Sequence, residues 1–214
     1  MIRKHTVAAG FTAVVLAATA TVAAAPGAQA APGTTHRAGT TSLAAVLAAD
    51  GHHFDKKWGD FDILDAAVMA VLKEKPTSPV AVLAKGKVRL TAFLPTDRAF
   101  QRLAKTLTGK APKTERATFN TLAKAAGIDV IETVLLYHVV PGKTLGAGKV
   151  VKADGKALMT AQGGTVTVKV KGKKVTLVDA DPDLANPRVI ATDINKGNRQ
   201  IGHAINRVLL PLDL

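Results

Sequence analysis

The spacing of apolar residues changes at Gly142, and this change restricts the fold more than any other feature of the sequence. Before it, apolar residues recur every three or four positions, which is typical of amphipathic helices. After it, apolar and polar residues alternate, which is typical of half-buried β-strands. The sequence therefore predicts an α+β domain with a helical first half and a strand-rich second half.

Proline, glycine and capping residues mark the ends of the predicted elements. In the first half these are a helix from Leu64 to Pro76, short helices at 43–49 and 78–84, an alternating strand at 88–93, a helix capped by Thr96 or Asp97 and ending at Gly109, a helix ending at Gly127, and one beginning at Asp129. In the second half, strands at 165–170 and 175–178 form one predicted hairpin, and strands at 188–194 and 201–210 form another.

The beginning of the chain resembles a secretory signal peptide. A charged start is followed by an apolar run and by the small-residue site Ala28-Gln29-Ala30, so we expect cleavage after Ala30. The predicted organisation is a signal peptide (1–30), a flexible leader (31–49) and a single domain (50–213). We expect no membrane span after cleavage and an extracellular protein that is associated with the cell wall or released.

The residues for the commonest kinds of catalysis are nearly absent. There is no cysteine, and the two serines that follow the signal peptide, Ser42 and Ser78, lie outside any G-x-S-x-G motif. His52-His53 and the Asp179-x-Asp181-x-Asp183 run lack the spacing of known metal sites. We therefore expect no enzymatic activity, cofactor or metal. The alternative is an envelope-acting hydrolase that uses His138 or His203 beside a carboxylate.

The chain is strongly basic, with a formal net charge of +13. Lys169, Lys171, Lys173 and Lys174 cluster at the tip of the first hairpin, and further lysines precede them at 149–156. Such a patch can attract an anionic polymer such as a teichoic acid or an acidic polysaccharide. The alternative is a charged edge strand that blocks aggregation. Nucleic acid is not expected, because the patch has no aromatic side chains on which bases could stack.

The stretch LLYHVV (135–140), followed by Pro141-Gly142, contains the only tyrosine of the chain. Helical spacing places His138 at the end of a buried stripe, and the proline ends the helix near Tyr137. A histidine there can donate to the last free carbonyls and interact with the helix dipole. Tyr137 and His138 are therefore predicted to close a helix, with recognition of a partner as a second hypothesis.

Three stretches together resemble the fasciclin-like domain. They are LTAFLPTDRAF (90–100), LLYHVVPGK (135–143) and DINKGNRQIGHAINRVLLP (193–211), and the resemblance covers about 50–211. In the last stretch, Arg199-Gln200 (or Asn198-Arg199, if the alignment shifts by one) stands where the family has an Asn-Gly turn. Gly202 replaces a bulky apolar residue, and Asn206 replaces an aspartate.

The resemblance implies helices packed on a β-sandwich of short strands and a non-enzymatic role in adhesion. It also implies that Tyr137 and His138, with Leu135, Leu136 and Val139, lie at a recognition motif. The composition of the signal peptide favours a bacterial source. We therefore expect a secreted binding module that contacts cell-envelope or matrix polymers, and we leave its oligomeric state open.

Overall fold

The structure is a computed structural model that describes residues 38–49 and 51–211. The predicted signal peptide and the first part of the predicted leader lie outside the described residues, so these two predictions stay predictions. Within the described ranges, no helix combines the length and the apolar character needed to cross a membrane.

Helices occupy most of the first half, as the apolar spacing predicted. The α-helices are α1 (Leu43–Leu47), α2 (Asp62–Glu74), α3 (Asp97–Thr108), α4 (Glu115–Tyr137) and α5 (Ala147–Val151), and a 3₁₀ helix spans Pro79–Ala84.

The strands form two sheets. They are β1 (Leu90–Pro95), β2 (Val139–Pro141), β3 (Ala157–Met159), β4 (Thr165–Lys171), β5 (Lys174–Val178), β6 (Val189–Ile194) and β7 (Gln200–Ile205). One sheet has the order β2-β1-β7-β6, in which β1 and β7 run parallel, and the other has the order β3-β4-β5. Both predicted hairpins are present as β4-β5 and β6-β7.

The predicted sandwich with helices at its side is confirmed by the two apolar clusters of the core. One cluster packs α1, α2, α3 and α4 against the four-stranded sheet and includes Leu90, Ala92 and Leu94 of β1. The other joins the two sheets and includes Phe93 of β1. Strand β1 is therefore covered on both sides and buried at every position, rather than alternately exposed as predicted.

Two glycines end or interrupt helices where the sequence predicted it. Gly109 caps α3 in the left-handed conformation, with a φ of 75°. Gly127 has a φ of 72° and a ψ of 169°, so α4 consists of two helical segments that meet at this residue.

The predicted cap of α3 is wrong in one respect. Thr96 occupies the N-cap position, but its side chain makes no capping hydrogen bond. The Asp97 carboxylate instead caps a different helix: its Oδ1 accepts from the Ile63 amide (2.8 Å) at the start of α2. Asp97 thus ties the beginnings of two helices together.

The predicted flexible leader is too long at its C-terminal end. Residues 38–43, which we call the N-terminal strap, are hydrogen-bonded to the β6-β7 hairpin. The Gly39 amide donates to the Gly197 carbonyl (2.8 Å), and the Arg199 amide donates to the Gly39 carbonyl (3.0 Å). The folded body therefore includes the segment before residue 50, because partners more than 150 positions away along the chain hold it in place.

Two residues of β7, Gln200 and Gly202, hold the strap in place. Gln200 is fully buried, and its Oε1 accepts from the Leu43 amide (2.8 Å). A Cβ at Gly202 would lie 2.5 Å from Leu94 Cδ1 and 3.4 Å from Leu43 Cδ2. Leu94 and Leu43 thus occupy the space into which a larger side chain at position 202 would extend.

Candidate functional site

Tyr137 lies at the end of α4 and is inaccessible to a partner. Its side chain is 1% exposed and belongs to the cluster between the two sheets. Its hydroxyl donates to the Thr165 carbonyl (2.7 Å) at the start of β4. The residue therefore connects the last turn of the long helix to the three-stranded sheet.

His138 follows as the C-cap of α4 and uses both ring nitrogens on the backbone. Nδ1 lies 2.7 Å from the Val134 carbonyl, which can only accept. Nε2 lies 2.9 Å from the Leu209 amide, which can only donate. These partners require a neutral ring with its proton on Nδ1.

Burial lowers the pKa of His138 to about 4, in agreement with this neutral form. The predicted bond to a free carbonyl at the helix end is present. The predicted charge–dipole interaction between the ring and the helix is absent, because the ring carries no charge at neutral pH.

His203 is held in the same manner. It is fully buried, its Nε2 donates to the Leu145 carbonyl (2.7 Å), and burial lowers its pKa. The alternative hydrolase required His138 or His203 to face a substrate beside a carboxylate. Neither ring faces solvent, so these two residues do not form such a site.

The lysines of the first hairpin lie on an exposed surface. Lys169 and Lys171 are on β4 and alternate with Val168 and Val170, of which Val168 is fully buried in the core. Lys171 stands directly opposite Lys174 of β5. Strand β3 pairs with β4 only as far as Thr167, so no strand covers the other side of β4 at Lys169 and Lys171, and the edge-protection hypothesis stays a prediction beside the binding hypothesis.

Four more lysines lie around a cleft at the neighbouring part of the domain. Lys143, Lys149, Lys152 and Lys156 line an opening of about 250 Å³. The carbonyl of Lys156 accepts from the amide of Val168 (3.0 Å), so this cleft adjoins β4. Lys143 was missed in the sequence, because it lies outside the run of lysines that suggested the patch.

A cluster of carboxyl groups at the start of three helices was also missed. Asp97 and Glu115 are the first residues of α3 and α4, and Asp60 lies just before α2. Burial raises the pKa of Glu115 to about 7, and burial together with a hydrogen bond to Asp60 raises the pKa of Asp97 to about 8. The residues are far apart in sequence, so no local motif could reveal them.

The Asp179-x-Asp181-x-Asp183 run forms a turn that its own side chains stabilise. Asp181 Oδ1 accepts from the amides of Asp183 (2.9 Å) and Leu184 (2.7 Å). Asp179 Oδ2 accepts from the Leu210 amide (3.0 Å) and thereby holds the C-terminal segment.

The family model described as Fasciclin domain matches residues 66–211. The chain belongs to the fasciclin domain family. A fasciclin domain is a cell-adhesion-type module, typically non-enzymatic, and occurs in extracellular or cell-surface proteins. The resemblance that three short motifs indicated is therefore confirmed.

The fold also resembles a solved structure, the FAS1 domain pair of the insect cell adhesion molecule fasciclin I. The two share 16% sequence identity with a TM-score of 0.52, and the match covers 79% of this chain and 51% of that one. The present chain thus spans about half the length of the domain pair. A comparison with curated proteins found no match.

Asn206, which stands in place of the family aspartate, is hydrogen-bonded to the backbone of Arg188. Asn206 Oδ1 accepts from the Arg188 amide (2.8 Å), and the Asn206 amide donates to the Arg188 carbonyl (3.1 Å). An amide oxygen serves this acceptor role as well as a carboxylate does.

Proposed function

We propose that this fasciclin domain is a secreted, non-enzymatic binding module that attaches to anionic polymers of the cell envelope or matrix. The attachment would use the eight lysines between positions 143 and 174, which we call the lysine surface. Its members are Lys143, Lys149, Lys152, Lys156, Lys169, Lys171, Lys173 and Lys174.

The observation that carries the proposal is the imbalance of charge on this surface. From 143 to 178 the chain has eight lysines and a single acidic residue, Asp154. All eight lysines are exposed. Among the described residues, no carboxylate forms an ion pair with any of them. Their positive charge is therefore available to an anionic ligand.

The arrangement of these lysines also costs stability. Lys171 and Lys174 are cross-strand neighbours, and like charges at such positions repel each other. Core packing and solubility do not require this pairing on a chain that is already strongly basic. A polyanion that binds across the hairpin would relieve the repulsion.

The cleft offers a ligand apolar surface in addition to positive charge. Leu145, Ala153 and Leu158 contribute apolar surface between its four lysines. Sugar rings of an acidic polysaccharide can pack on such apolar surface while their carboxylate or sulfate groups contact the ammonium groups. A teichoic acid would supply phosphate groups to the same lysines.

The experiment measures retention on immobilised heparin and on a purified teichoic acid, with uncharged dextran as the reference. We expect binding at low salt that is lost in molar salt, because screening shortens the reach of exposed charges. Changing Lys169, Lys171, Lys173 and Lys174 to Gln should weaken binding by at least about tenfold, since each lysine near an anionic surface contributes about 1 kcal/mol.

A matched control removes four charges from the helical side of the domain. Lys105, Lys110, Lys113 and Lys124 are exposed and lie on or between α3 and α4. Changing these to Gln alters the net charge by the same amount. Equal losses in the two variants would show that net charge alone drives binding, and retention that molar salt leaves unchanged would contradict the proposal.

A further inference from the structure

Five carboxyl groups converge where α2, α3 and α4 begin. Oxygen atoms of Asp55, Asp60 and Glu115 lie within 4.8 Å of one another, and so do oxygen atoms of Asp60, Asp62 and Asp97. Carboxylates near helix N-termini are favoured by the helix dipole, but five in one place also repel each other. Some of these groups have identifiable structural roles, and others do not.

The carboxylates of Asp62 and Asp97 accept hydrogen bonds from backbone amides. Asp97 Oδ1 accepts from the Ile63 amide, and its Oδ2 accepts from the Asp62 amide (3.3 Å). Asp62 Oδ2 accepts from the Asp55 amide (3.1 Å). These contacts fix the loop before α2 against the start of α3.

Glu115 makes no comparable hydrogen bonds, although its side chain is buried like those of Asp62 and Asp97. It is 1% exposed, and neither of its carboxyl oxygens has a hydrogen-bond partner. The Asp55 amide lies close enough to lower the pKa of Glu115 somewhat, but its hydrogen bond goes to Asp62 Oδ2 (3.1 Å). Asp60 Oδ1 is likewise buried without a partner. A buried carboxylate without a partner is costly, so a cation that contacts these oxygen atoms would stabilise their charged form.

We propose that Asp55, Asp60 and Glu115 bind a calcium ion, in a site that Asp62 and Asp97 hold in shape. The donor set contains oxygen only, which suits a hard cation and not zinc or copper. The loop 51–61 supplies two of the ligands, and calcium accepts the irregular coordination that such a loop gives more readily than magnesium does. Water molecules would complete the coordination shell.

Lys57 competes with the ion for one ligand. Its Nζ lies 2.8 Å from Asp55 Oδ2, and its side chain is 76% exposed. Because the side chain is exposed, the ammonium group can move away from Asp55 when a cation binds. Affinity in the range of extracellular calcium modules, about 0.1–1 mM, is the expected consequence.

The chain carries a built-in spectroscopic probe for this site. Trp58 is its only tryptophan and lies between Asp55 and Asp60 in the sequence. Terbium(III) occupies calcium sites and emits when a nearby tryptophan is excited. We expect terbium emission on titration of the chelator-treated protein, displacement of terbium by calcium more readily than by magnesium, and a higher melting temperature in calcium.

Variants decide where the ion binds. Glu115→Gln keeps the shape of the side chain and should weaken calcium affinity by at least about tenfold, because the ion loses a charged ligand. Asp60→Asn should act in the same direction and serves if Glu115→Gln does not fold. Trp58→Phe should abolish the emission but leave the calcium-induced rise in melting temperature.

The matched control is Asp181→Asn. Asp181 also has a buried carboxyl oxygen without a partner, but it belongs to the turn at 179–184. This change should leave the calcium response unaltered. The proposal is overturned if the protein shows no response up to about 10 mM calcium, well above the affinity of such modules. It is equally overturned if the response survives in both Glu115→Gln and Asp60→Asn, or disappears in Asp181→Asn alone.

Discussion

Tyr137-His138 and the lysine surface are the two regions in which the sequence suggested recognition. They differ in burial, in charge and in their bonding partners. The Tyr137-His138 pair is buried, neutral and bonded to backbone groups of Val134, Thr165 and Leu209. The lysine surface is exposed and charged, and no described carboxylate pairs with it. The first region connects parts of the fold, whereas the second faces a potential ligand.

This difference teaches how a family motif should be interpreted. A motif can recur in a family because the fold requires it, as when an imidazole satisfies both a helix carbonyl and a distant amide. Ligand contact requires accessible atoms, and the motif offers none in this chain. Variants in the two regions should therefore affect different properties, namely stability in one and binding in the other.

The largest expected effect is on stability and comes from Tyr137→Ala. Removing this buried ring should lower the free energy of unfolding by about 3–5 kcal/mol, because a cavity opens between the two sheets. Tyr137→Phe keeps the ring and loses only the bond to Thr165, at a cost of about 1 kcal/mol. Urea denaturation measures both. A Tyr137→Ala protein that is as stable as the wild type would contradict the structural role of the motif.

The next effect is the contribution of His138 to the pH dependence of the free energy of unfolding. The unfolded chain binds a proton with a pKa near 6.5, whereas the folded protein does so only near 4. Stability from the neutral ring is thus complete above pH 6.5 and is lost as the pH falls to 4, by about 3 kcal/mol. His203 changes stability in the same direction, while carboxyl groups with raised pKa values, such as Asp179, change it in the opposite direction.

The pH dependence is therefore measured as a difference between the wild type and His138→Gln. The other groups contribute equally to both proteins and cancel. We expect the advantage of the wild type over the variant to shrink between pH 7 and pH 4. A constant difference across this range would show that His138 is not held in its neutral form.

A third effect extends the comparison to the N-terminal strap, which is hydrogen-bonded to the β6-β7 hairpin. A Cβ at Gly86 would lie 1.7 Å from the Thr40 carbonyl oxygen, so Gly86→Ala should displace the N-terminal strap. We expect a loss of about 1–3 kcal/mol, as for other overpacked sites. Gly148→Ala is the control, because nothing lies near its added methyl group. Unchanged hydrogen exchange at residues 38–43 in Gly86→Ala would contradict this account of the strap.

The smallest effect on stability should come from the lysine surface. Changing Lys169, Lys171, Lys173 and Lys174 to Gln removes exposed charges and the repulsion between Lys171 and Lys174. The free energy of unfolding should rise or stay level, within about 0.5 kcal/mol. Thermal and urea unfolding measure it. A large loss would show that these lysines have a structural role.

Local signals in the sequence were sufficient to predict most elements. Apolar spacing and the breakers Pro76, Gly109 and Gly127 marked the helices, and alternating residues around 171–174 marked a hairpin. These signals depend on interactions within a few residues, so they survive in almost any tertiary context. The resemblance to the fasciclin family then supplied the arrangement of the elements.

Contacts between distant residues could not be predicted in this manner. The strap depends on Gln200, and Asp97 caps a helix that begins 35 positions earlier. The strand predicted at 88–93 was expected to be half-exposed, whereas β1 is buried at every position, because a second layer that its own residues do not specify covers it. For the same reason, neither the cleft lined by Lys143 nor the carboxyl cluster at Glu115 appeared as a motif.

The most direct test of the central claim is lysine footprinting with and without an anionic polysaccharide. The protein is acetylated under limiting reagent, and the modification of each lysine is measured by mass spectrometry. We predict protection at 143–174 and unchanged reactivity at Lys105, Lys110, Lys113 and Lys124. Equal protection of both groups, or protection confined to the helical side, would contradict the assignment of the lysine surface as the region that binds the polymer.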